Sequence, residues 1–574
     1  MQIHSLAAQV ILPGFASGPL LHANLGLSFM GGVDAARGVV IDGHHPLRGK
    51  DLTGAILAIP SGRGSCAGSL VMFELLMNGH APKALIFRHK ETILTLGVLI
   101  AHALFGHGIP VLSVSDAEFA TLSTAQHARI EGGHLTIADT PFPAMDSRLD
   151  LPPLELAGMD ISQADARCLA GKDGEAARIA LEIILRTAQL EGATRLVDVD
   201  MAHIDGCFYQ GPGGLAFVER LLALGAKVRV PATMNALCVD RKAWRAQGVA
   251  ESLGLASDAL AEAYLRMGVR ASYTCAPYLL PDPPKFGQQI AWGESNAVVF
   301  ANSVLGARTL KYPDYLDILV AITGRAPMAD CHVDEKRRAT LRIDLPTPPD
   351  MDDAYFATLG YLVGKLSPND IPLITGLEGL QVSHDMLKTF GAAFATTSAA
   401  AMFHILGITP EAETAEQAGD PVRSLAVSKD DLRETWRELN TATSPEVDLV
   451  SLGNPHFSAT EISALARLCR GRHKATGVAL VVTCGREVFA QAEVAGDVAA
   501  IKAFGGVFLN DTCWCLIAEP IVSSEMGQIA TNSGKYAHYG PAAVGKGFHL
   551  ASLERCVDAA CTGKINMTEP AWLD

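Results

Sequence analysis

The chain has 574 residues, of which 49% are hydrophobic and 19% are charged, and its formal net charge is −15 at pH 7. This apolar content excludes a disordered chain, and the negative charge argues against non-specific binding to nucleic acid or to an anionic membrane. A small anionic substrate is still compatible with this charge, because a single basic pocket can lie in an acidic protein.

The N-terminal segment predicts a protein without a secretory signal. Its first residues contain no basic stretch followed by an apolar core, so we expect a cytoplasmic location. The most apolar stretch, Thr92–Leu112, is interrupted by His102 and Pro110. A membrane-spanning helix needs about 20 mostly apolar residues, so no membrane partner is expected.

Residues 1–145 are predicted to form one domain that contains a β-α-β crossover. Short apolar runs rich in Ile, Leu and Val predict its strands, and longer apolar stretches predict its helices. In chain order, the predicted elements are strand 55–60, helix 69–78, strand 84–87, helix 91–104, strand 110–114 and strand 134–138. Several prolines follow closely, so residues 146–157 are predicted to be a linker.

Strands and helices alternate through residues 158–574, which predicts an α/β fold with parallel sheets in two or more lobes. Six predicted strands are followed directly by polar residues. They are 195–199, 227–230, 317–322, 447–452, 478–482 and 506–509. The residues that follow include His203, Asn235, Arg325, His456 and Cys513. Ligands bind beyond the carboxyl ends of parallel strands, so we expect one site assembled from many segments.

The cysteines are expected to be reduced thiols. The chain has 12 cysteines and no Cys-x-x-Cys pair, so zinc-finger spacing is absent. Any metal site must therefore gather its ligands from distant segments.

The most distinctive local motif is the glycine-rich turn, Ser61-Gly62-Arg63-Gly64-Ser65-Cys66-Ala67-Gly68-Ser69, which lies between a predicted strand and a predicted helix. The glycines allow a sharp turn, and the free amides at a helix start favour an anion. Three interpretations are open. Ser65 acts as a base with Arg63 nearby, Cys66 is a nucleophile in an elbow, or the turn has no catalytic side chain.

Nine segments in chain order carry a resemblance to a known family. They are SGRGSCAGS (61–69), AHIDGCFYQGPGGL (202–215), VPATMNA (230–236), YTCAPY (273–278), AWGESNAVVFANSVLGART (291–309), TGRAP (323–327), GNPH (453–456), NDTCW (510–514) and TNSGKYAHYGP (531–541). The chain resembles the aconitase X family in its single-chain form. The resemblance implies an aconitase-like, multi-lobed catalytic part fused to an N-terminal swivelling domain, so no separate small subunit is needed.

The resemblance also implies a hydro-lyase that dehydrates a small β-hydroxy carboxylate with the help of iron or an iron–sulfur cluster. The expected reaction converts cis-3-hydroxy-L-proline into Δ1-pyrroline-2-carboxylate. Dehydration of a mevalonate phosphate or of another hydroxy acid is the alternative. Two other classes are also open. They are a cysteine-dependent hydrolase that uses Cys66, and a non-enzymatic protein that binds a carboxylate or iron.

The resemblance assigns Cys275 and Cys513 as iron ligands, but this chain departs from the family at the third. Many relatives carry Gly-Cys-Pro-His where this chain has Gly453-Asn454-Pro455-His456, so Asn454 stands in place of the cysteine. Asparagine is a poor substitute for a thiolate at iron. Cys331 is the predicted replacement, with Cys515 and Cys207 in reserve. A two-iron cluster or a mononuclear iron is therefore favoured over a four-iron cluster.

The remaining site residues are predicted from what the dehydration needs. Ser65 removes the proton next to the carboxylate, and His203 or His456 relays a proton to the departing hydroxide. A cationic side chain holds the carboxylate. The candidates are Arg308, Lys535 and Arg325, with Arg63 beside the serine. The expected hydrogen-bond partners are Asn235, Thr274, Asn302, Ser303 and Tyr536.

Overall fold

The computed structural model of the chain describes residues 3–43, 45–346 and 350–574. Four α/β units follow one another, and parallel sheets form the core of the last two. The α/β class and the N-terminal β/α domain predicted from the sequence are confirmed. Among the described residues, none of the helices combines the length and the apolar content that crossing a bilayer would need.

The N-terminal unit is built on a nine-stranded mixed sheet. Its strands are Ile3–Leu6, Gln9–Leu12, Gly14–His22, Ile56–Ile59, Ala84–Phe87, Val111–Ser113, His127–Glu131, His134–Ala138 and Arg148–Leu149, with a separate pair Val33–Asp34 and Val39–Val40. Its helices are Gly68–Asn78, Ile93–Phe105 and Asp116–Leu122. Strands 56–59, 84–87 and 111–113 pair in parallel, as the β-α-β pattern predicts. Arg148–Leu149, inside the predicted linker, pairs with Gly14 and Phe15 at this sheet.

The second unit packs helices around a three-stranded parallel sheet of 232–234, 202–204 and 291–292. Its helices are Gln163–Leu169, Glu175–Glu191, Pro212–Ala223, Glu251–Met267, Ser295–Phe300 and Leu316–Thr323, with a π-helical turn Ala301–Leu305 and 3₁₀ turns Pro277–Leu279, Asp330–His332 and Asp334–Arg337. Its strands are Leu196–Asp198, Ala202–Ile204, Ala232–Met234, Ala291–Trp292 and Arg325–Pro327.

Two of the predicted strands in this unit are wrong. Residues 317–322 lie inside the helix Leu316–Thr323, and that helix is buried on every side, so its sequence is apolar all round and reads like a buried strand. Residues 227–230 form no strand, and the strand begins two residues later, at Ala232. In addition, Leu196–Asp198 pairs antiparallel with Arg325–Pro327, outside the parallel sheet.

The third and fourth units each contain a parallel sheet with helices packed against it. The strands of the third are Leu341–Asp344, Pro372–Thr375, His404–Ile405 and Ser424–Ala426, and its helices are Asp353–Leu366, His384–Thr397, Ala415–Ala418 and Lys429–Leu439. The strands of the fourth are Leu449–Leu452, Ala479–Cys484, Val507–Asn510, Gln528–Thr531 and Gly547–Leu550. Its helices are Ala459–Cys469, Arg486–Val494, Asp497–Phe504, Gly534–Val544 and Leu553–Thr562, with 3₁₀ turns Trp514–Leu516 and Ala571–Leu573.

The N-terminal unit docks onto the second unit through its helix Gly68–Asn78. The Phe73 ring packs edge-on against Phe217 and Tyr315, with ring centroids 6.0 and 5.6 Å apart. The Glu74 carboxylate accepts the Gly213 amide at 2.8 Å. Burial of three aromatic rings gives this interface an apolar centre, and it fixes where the glycine-rich turn at the start of the same helix lies.

Candidate active site

Three cysteines meet where loops of the second and fourth units come together. Cys275, Cys513 and Cys515 pack with Ala236 in one small cluster, which we call the cysteine cluster. The pKa of Cys513 is raised, chiefly by a hydrogen bond with Cys275 and then by burial. Cys513 and Cys515 follow the carboxyl end of strand Val507–Asn510, where parallel sheets place their ligands.

Asn454 faces the cysteine cluster from the carboxyl end of another strand of the same sheet, Leu449–Leu452. Its Nδ2 donates a hydrogen bond to Cys515 Sγ at 3.2 Å, and its Oδ1 is buried with no partner among the described residues. Gly453, with φ of 95°, leads into this position, and a Cβ there would lie 2.1 Å from the Thr483 carbonyl oxygen. The backbone therefore requires glycine beside Asn454.

The donor set suits iron, although the side chains do not stand in the geometry of a preformed metal site. No group of three or more His, Cys, Asp or Glu side chains in the described part of the chain is arranged to hold a metal. The three thiols instead hydrogen-bond among themselves. Three soft sulfurs and one unpartnered buried amide oxygen are nevertheless donors that iron accepts.

The structure places Cys331 away from the cysteine cluster, contrary to the prediction that it supplies the third thiolate. Cys331 lies in a different hydrophobic core, where its thiol contacts Asp330 and its carbonyl accepts Arg337. Cys515 is instead the third cysteine of the cluster. Cys207 is also apart, with its thiol bonded to the Asn235 carbonyl at 3.2 Å.

His456 connects the loops around the cysteine cluster by hydrogen bonds. Its Nδ1 pairs with Thr274 Oγ1 at 3.1 Å, its Nε2 with the Thr512 carbonyl at 2.8 Å, and its backbone amide donates to Cys275 Sγ at 3.4 Å. Burial lowers the pKa of His456 to about 4, so the ring is neutral. Both ring nitrogens are engaged, so His456 and Thr274 are positioned to orient the cluster rather than to relay a proton.

Glu294 lies at the centre of a polar network beside the cluster. It accepts hydrogen bonds from Lys535 Nζ at 2.8 Å, Asn296 Nδ2 at 2.7 Å and Asn235 Nδ2 at 3.1 Å. Burial alone would raise the pKa of Glu294, but Lys535 and the amide donors outweigh it and hold that pKa below its ordinary value. Lys535 is therefore already neutralised by a carboxylate.

His203 lies next to this network. Its Nδ1 pairs with Thr233 Oγ1 at 2.7 Å, while its buried Nε2 has no partner among the described residues. Burial lowers its pKa to about 4, and Asn235 and Thr274 are close enough to act on that pKa. Of the two predicted relay histidines, His203 is the one that keeps a free nitrogen.

Three further buried carboxyl groups, those of Asp205, Asp314 and Asp317, lie near Asn235. The Asn235 side-chain amide donates a hydrogen bond to Asp205. Burial first, and then the charges of Glu294 and Asp317, raise the pKa of Asp205 to about 8, and burial also raises the pKa of Asp314. The Asp205 and Asp314 carboxyl groups are close enough to act on each other's pKa, and two buried carboxylates repel, so the protonated form of both groups is favoured. The Asp314 backbone in turn joins the glycine-rich turn, because its amide donates to the Cys66 carbonyl at 3.2 Å.

The raised pKa values of Asp205 and Asp314 give a testable pH dependence. Both pKa values are raised on folding, so the pair stabilises the fold fully below about pH 4, and that stability is lost as pH rises through about 8. Asp314→Asn replaces one carboxyl group by an amide that does not titrate. We expect the Tm of the wild type to fall between pH 6 and pH 9, and the variant to melt about 1–2 °C higher than the wild type at pH 9.

Thermal denaturation across this pH range, with the exposed Asp430→Asn as control, checks the expectation. A variant that melts below the wild type by the same margin at pH 6 and at pH 9 would show that folding does not raise the pKa of Asp314.

The glycine-rich turn approaches the polar network from the N-terminal unit. Ser65 Oγ accepts the Ala67 amide at 3.3 Å, and Gly64 has a φ of 82°. A Cβ at Gly64 would lie 3.2 Å from Tyr539 Oη, so the turn lies directly against the helix Gly534–Val544. Tyr539 is close enough to Lys535 and Cys515 for their charges to act on its pKa, which burial raises to about 12.

Two side chains close to Ser65 in the sequence, those of Arg63 and Cys66, are not placed to act with it. Arg63 is turned toward Asp42, with its Nη2 2.9 Å from the carboxylate, so it does not lie against the serine as predicted. The Cys66 thiol is fully buried, and burial raises its pKa well above the ordinary value. A buried, protonated thiol is a poor nucleophile, which argues against the cysteine-dependent hydrolase.

Two predicted carboxylate-binding arginines are engaged elsewhere. Arg325 pairs with Asp165 at 2.9 Å and with Asp198 at 2.7 Å. Arg308 pairs with Asp334 at 2.8 Å and with Glu411. Neither is free to hold a substrate, so both predictions are wrong in this structure.

Two predicted hydrogen-bonding residues are also structural. Asn302 Nδ2 donates to the Thr309 and Ala401 carbonyls, and Ser303 Oγ accepts the Phe403 amide at 2.8 Å. The Tyr536 ring packs between Trp514 and Phe548, and its buried hydroxyl has no partner among the described residues. Sequence reasoning misses Tyr539, although it lies four residues after Lys535 and therefore on the same helix face. It also misses Glu294, which follows the short strand Ala291–Trp292.

Comparison with known proteins identifies the family of the chain. Sequence models of the aconitase X swivel, first, second and third domains match residues 5–138, 158–335, 338–437 and 447–562. The chain belongs to the aconitase X family. This single aconitase X chain thus contains the swivel domain together with the other three.

Two relatives match the chain from end to end. It is 49% identical over 573 residues to cis-3-hydroxy-L-proline dehydratase of Pseudomonas aeruginosa, covering 99% of each chain. It is 49% identical to the enzyme of the same name from Hypocrea jecorina, covering 98% of this chain and 96% of the relative. A phosphomevalonate dehydratase large subunit of Methanocaldococcus jannaschii is 34% identical, and the match covers 67% of this chain and 95% of that subunit.

A solved structure supports the fold. The holo-form of aconitase X from Thermococcus kodakaraensis superimposes with a TM-score of 0.64 at 32% sequence identity, covering 70% of this chain and 100% of that one. With dehydratases as end-to-end relatives, this aconitase X protein is a hydro-lyase.

Proposed function

We propose that this chain dehydrates cis-3-hydroxy-L-proline to Δ1-pyrroline-2-carboxylate. The observation that carries the proposal is the 49% identity to cis-3-hydroxy-L-proline dehydratase over 99% of both chains.

The reaction removes one hydrogen from C2 and the hydroxyl from C3, and the resulting enamine takes a proton at C3 and releases its N–H proton to become the cyclic imine. Ser65 is the proposed base for the C2 proton. It lies in a turn whose amides and helix start favour negative charge, which makes its hydroxyl more acidic. Tyr539 Oη and His203 Nε2 are the proposed proton donors for the departing hydroxide and the enamine.

Iron is the proposed cofactor, and Cys275, Cys513 and Cys515 would hold it, with Asn454 as the neighbouring oxygen donor. When bound, iron supplies Lewis-acid polarisation to an oxygen of the substrate. Three thiols and an amide support a two-iron cluster or a mononuclear iron over a four-iron cluster. Iron and acid-labile sulfide, measured on one anaerobic preparation, separate the two types.

The proposed location is a reducing cytoplasm, and the proposed partner is the small substrate alone. All 12 cysteines of the chain are free thiols in the structure. Free thiols are typical of a reducing compartment.

The assay that tests the proposed function is imine formation from cis-3-hydroxy-L-proline, with mevalonate 5-phosphate as the competing substrate. We expect turnover of the amino acid and none of the phosphate. Turnover of mevalonate 5-phosphate alone would show that the chain is a dehydratase of that phosphate. No turnover of either compound, with iron bound, would support a binding protein.

The alternative that uses Cys66 makes a different prediction. Cys66→Ala removes a buried sulfur that the dehydration does not need, so kcat should stay within about threefold of the wild type. Its measurement is the same imine assay, with thermal denaturation to record any loss of packing. A folded variant whose turnover drops by about a thousandfold or more would show that the Cys66 thiol takes part in the reaction.

A further inference from the structure

The carboxylate of a bound amino acid needs a cation, and most cations near the site are already paired. Lys535 pairs with Glu294 at 2.8 Å, and Arg63 with Asp42 at 2.9 Å. Two more are similarly engaged: Lys388 with Glu461, and Arg486 with Asp240 and Asp511. Recruiting Lys535, Lys388 or Arg486 would take the cation from a buried carboxylate, which is costly, and Arg63 is turned toward Asp42.

Lys311 differs from these four cations. It lies in the loop between the π-helical turn and the helix Leu316–Thr323, and its Nζ donates to the Ser398 carbonyl at 3.0 Å. Among the described residues, no carboxylate forms an ion pair with it. An ammonium has three N–H donors, so two remain for a ligand once the Ser398 carbonyl has taken one.

The loop that contains Lys311 contacts the glycine-rich turn, because the Asp314 amide donates to the Cys66 carbonyl at 3.2 Å and Ser69 Oγ donates to the Asp314 carbonyl at 3.0 Å. The Nζ of Lys311 is also close enough to Cys66, Lys535 and Glu294 for their charges to act on the pKa of Lys311. Cys66 is the residue directly after Ser65. Burial lowers the pKa of Lys311, and Lys535 lowers it further, because two ammonium groups repel each other. An anion that enters beside Lys311 would relieve both costs.

We propose that Lys311 binds the carboxylate of the substrate. This inference rests on the proposed function and deepens it, because it names the group that recognises an α-amino acid. A carboxylate held at Lys311 brings the adjacent C2 hydrogen to the side of the site where the glycine-rich turn presents Ser65. Lys311 is thus the binding partner of the substrate, while Lys535 keeps Glu294 in its ionised form.

The kinetic test compares Lys311→Met and Lys311→Arg with the wild type on cis-3-hydroxy-L-proline. We expect KM to rise about 100-fold in Lys311→Met, with kcat changed less than about tenfold, and the arginine variant to recover part of the loss. Lys83→Met is the matched control. Its Nζ also donates to a backbone carbonyl, that of Met145 at 2.9 Å, in the N-terminal unit.

A binding measurement separates recognition of the carboxylate from a structural role. L-proline keeps the carboxylate and L-prolinamide lacks it, and calorimetry gives the affinity of each. The wild type should prefer proline by about 100-fold, and Lys311→Met should bind the two nearly equally. A variant that only loosened the fold would weaken both ligands alike and keep the ratio.

The outcomes distinguish the two proposals. Wild-type enzyme that turns over hydroxyproline, with an unchanged KM or an unchanged proline preference in Lys311→Met, refutes the role of Lys311. Wild-type enzyme that fails to turn over hydroxyproline refutes the proposed function. In that case the proline-to-prolinamide ratio of the two proteins decides by itself whether Lys311 binds a carboxylate.

Discussion

Replacing Ser65 by alanine should slow the turnover of cis-3-hydroxy-L-proline about a thousandfold and leave the iron content unchanged. The loss of a general base has an effect of roughly this size. Ser65 Oγ makes a single hydrogen bond within the described residues, to the Ala67 amide at 3.3 Å, so its removal should disturb the turn little. KM should change less than kcat, because the hydroxyl acts on the reacting hydrogen.

Steady-state kinetics with iron analysis on the same preparation measures this effect. Ser61→Ala, in the same turn, is the matched control and should keep nearly full activity. A sharper readout is exchange of the C2 hydrogen with solvent deuterium, which should disappear in Ser65→Ala. Full turnover by that variant would exclude Ser65 as the base.

Replacing a residue of the cysteine cluster by serine should remove both iron and activity. Cys275→Ser, Cys513→Ser and Cys515→Ser each take one soft donor from a set of three, and a hydroxyl is a poor ligand for iron. We expect iron to fall to less than about a tenth of the wild-type content, and kcat/KM to fall about a thousandfold or more.

The decisive comparison is between Cys515→Ser and Cys331→Ser. The structure places Cys515 against Cys513 and Asn454, whereas Cys331 lies in another core beside Asp330. Cys331→Ser should therefore retain iron, as should Cys561→Ser, a partly exposed cysteine of the fourth unit. Loss of iron from Cys331→Ser with retention by Cys515→Ser would reverse the assignment.

Much of the fold can be predicted because parallel strands leave clear apolar runs in the sequence. The sequence predicts strand Ala84–Phe87 with its bounds as observed, and it predicts the three strands around 450, 480 and 508 to within two residues. It mistakes Leu316–Thr323 for a strand because a helix buried on every side has no polar face to reveal its period.

The site is only partly predictable, because ion pairing is a property of the folded chain. Sequence identifies Arg308 and Arg325 as cations, but only their positions show that carboxylates already neutralise them. The choice between Cys331 and Cys515 as the third cysteine of the cluster likewise depends on positions in the folded chain. Both follow polar loops, and which of them reaches Cys275 depends on how the second and fourth units pack. Lys311 escapes sequence reasoning because it belongs to no motif.

The aromatic contact of Phe73 with Phe217 and Tyr315 has a consequence for how activity depends on concentration. The same contact brings the helix after Ser65 onto the unit that contains Cys275. A short tether between the two parts keeps their effective concentration in roughly the millimolar range. Specific activity should therefore be independent of dilution. In an enzyme with this swivel domain on a separate chain, dilution would dissociate the chain that carries the serine, and activity would fall.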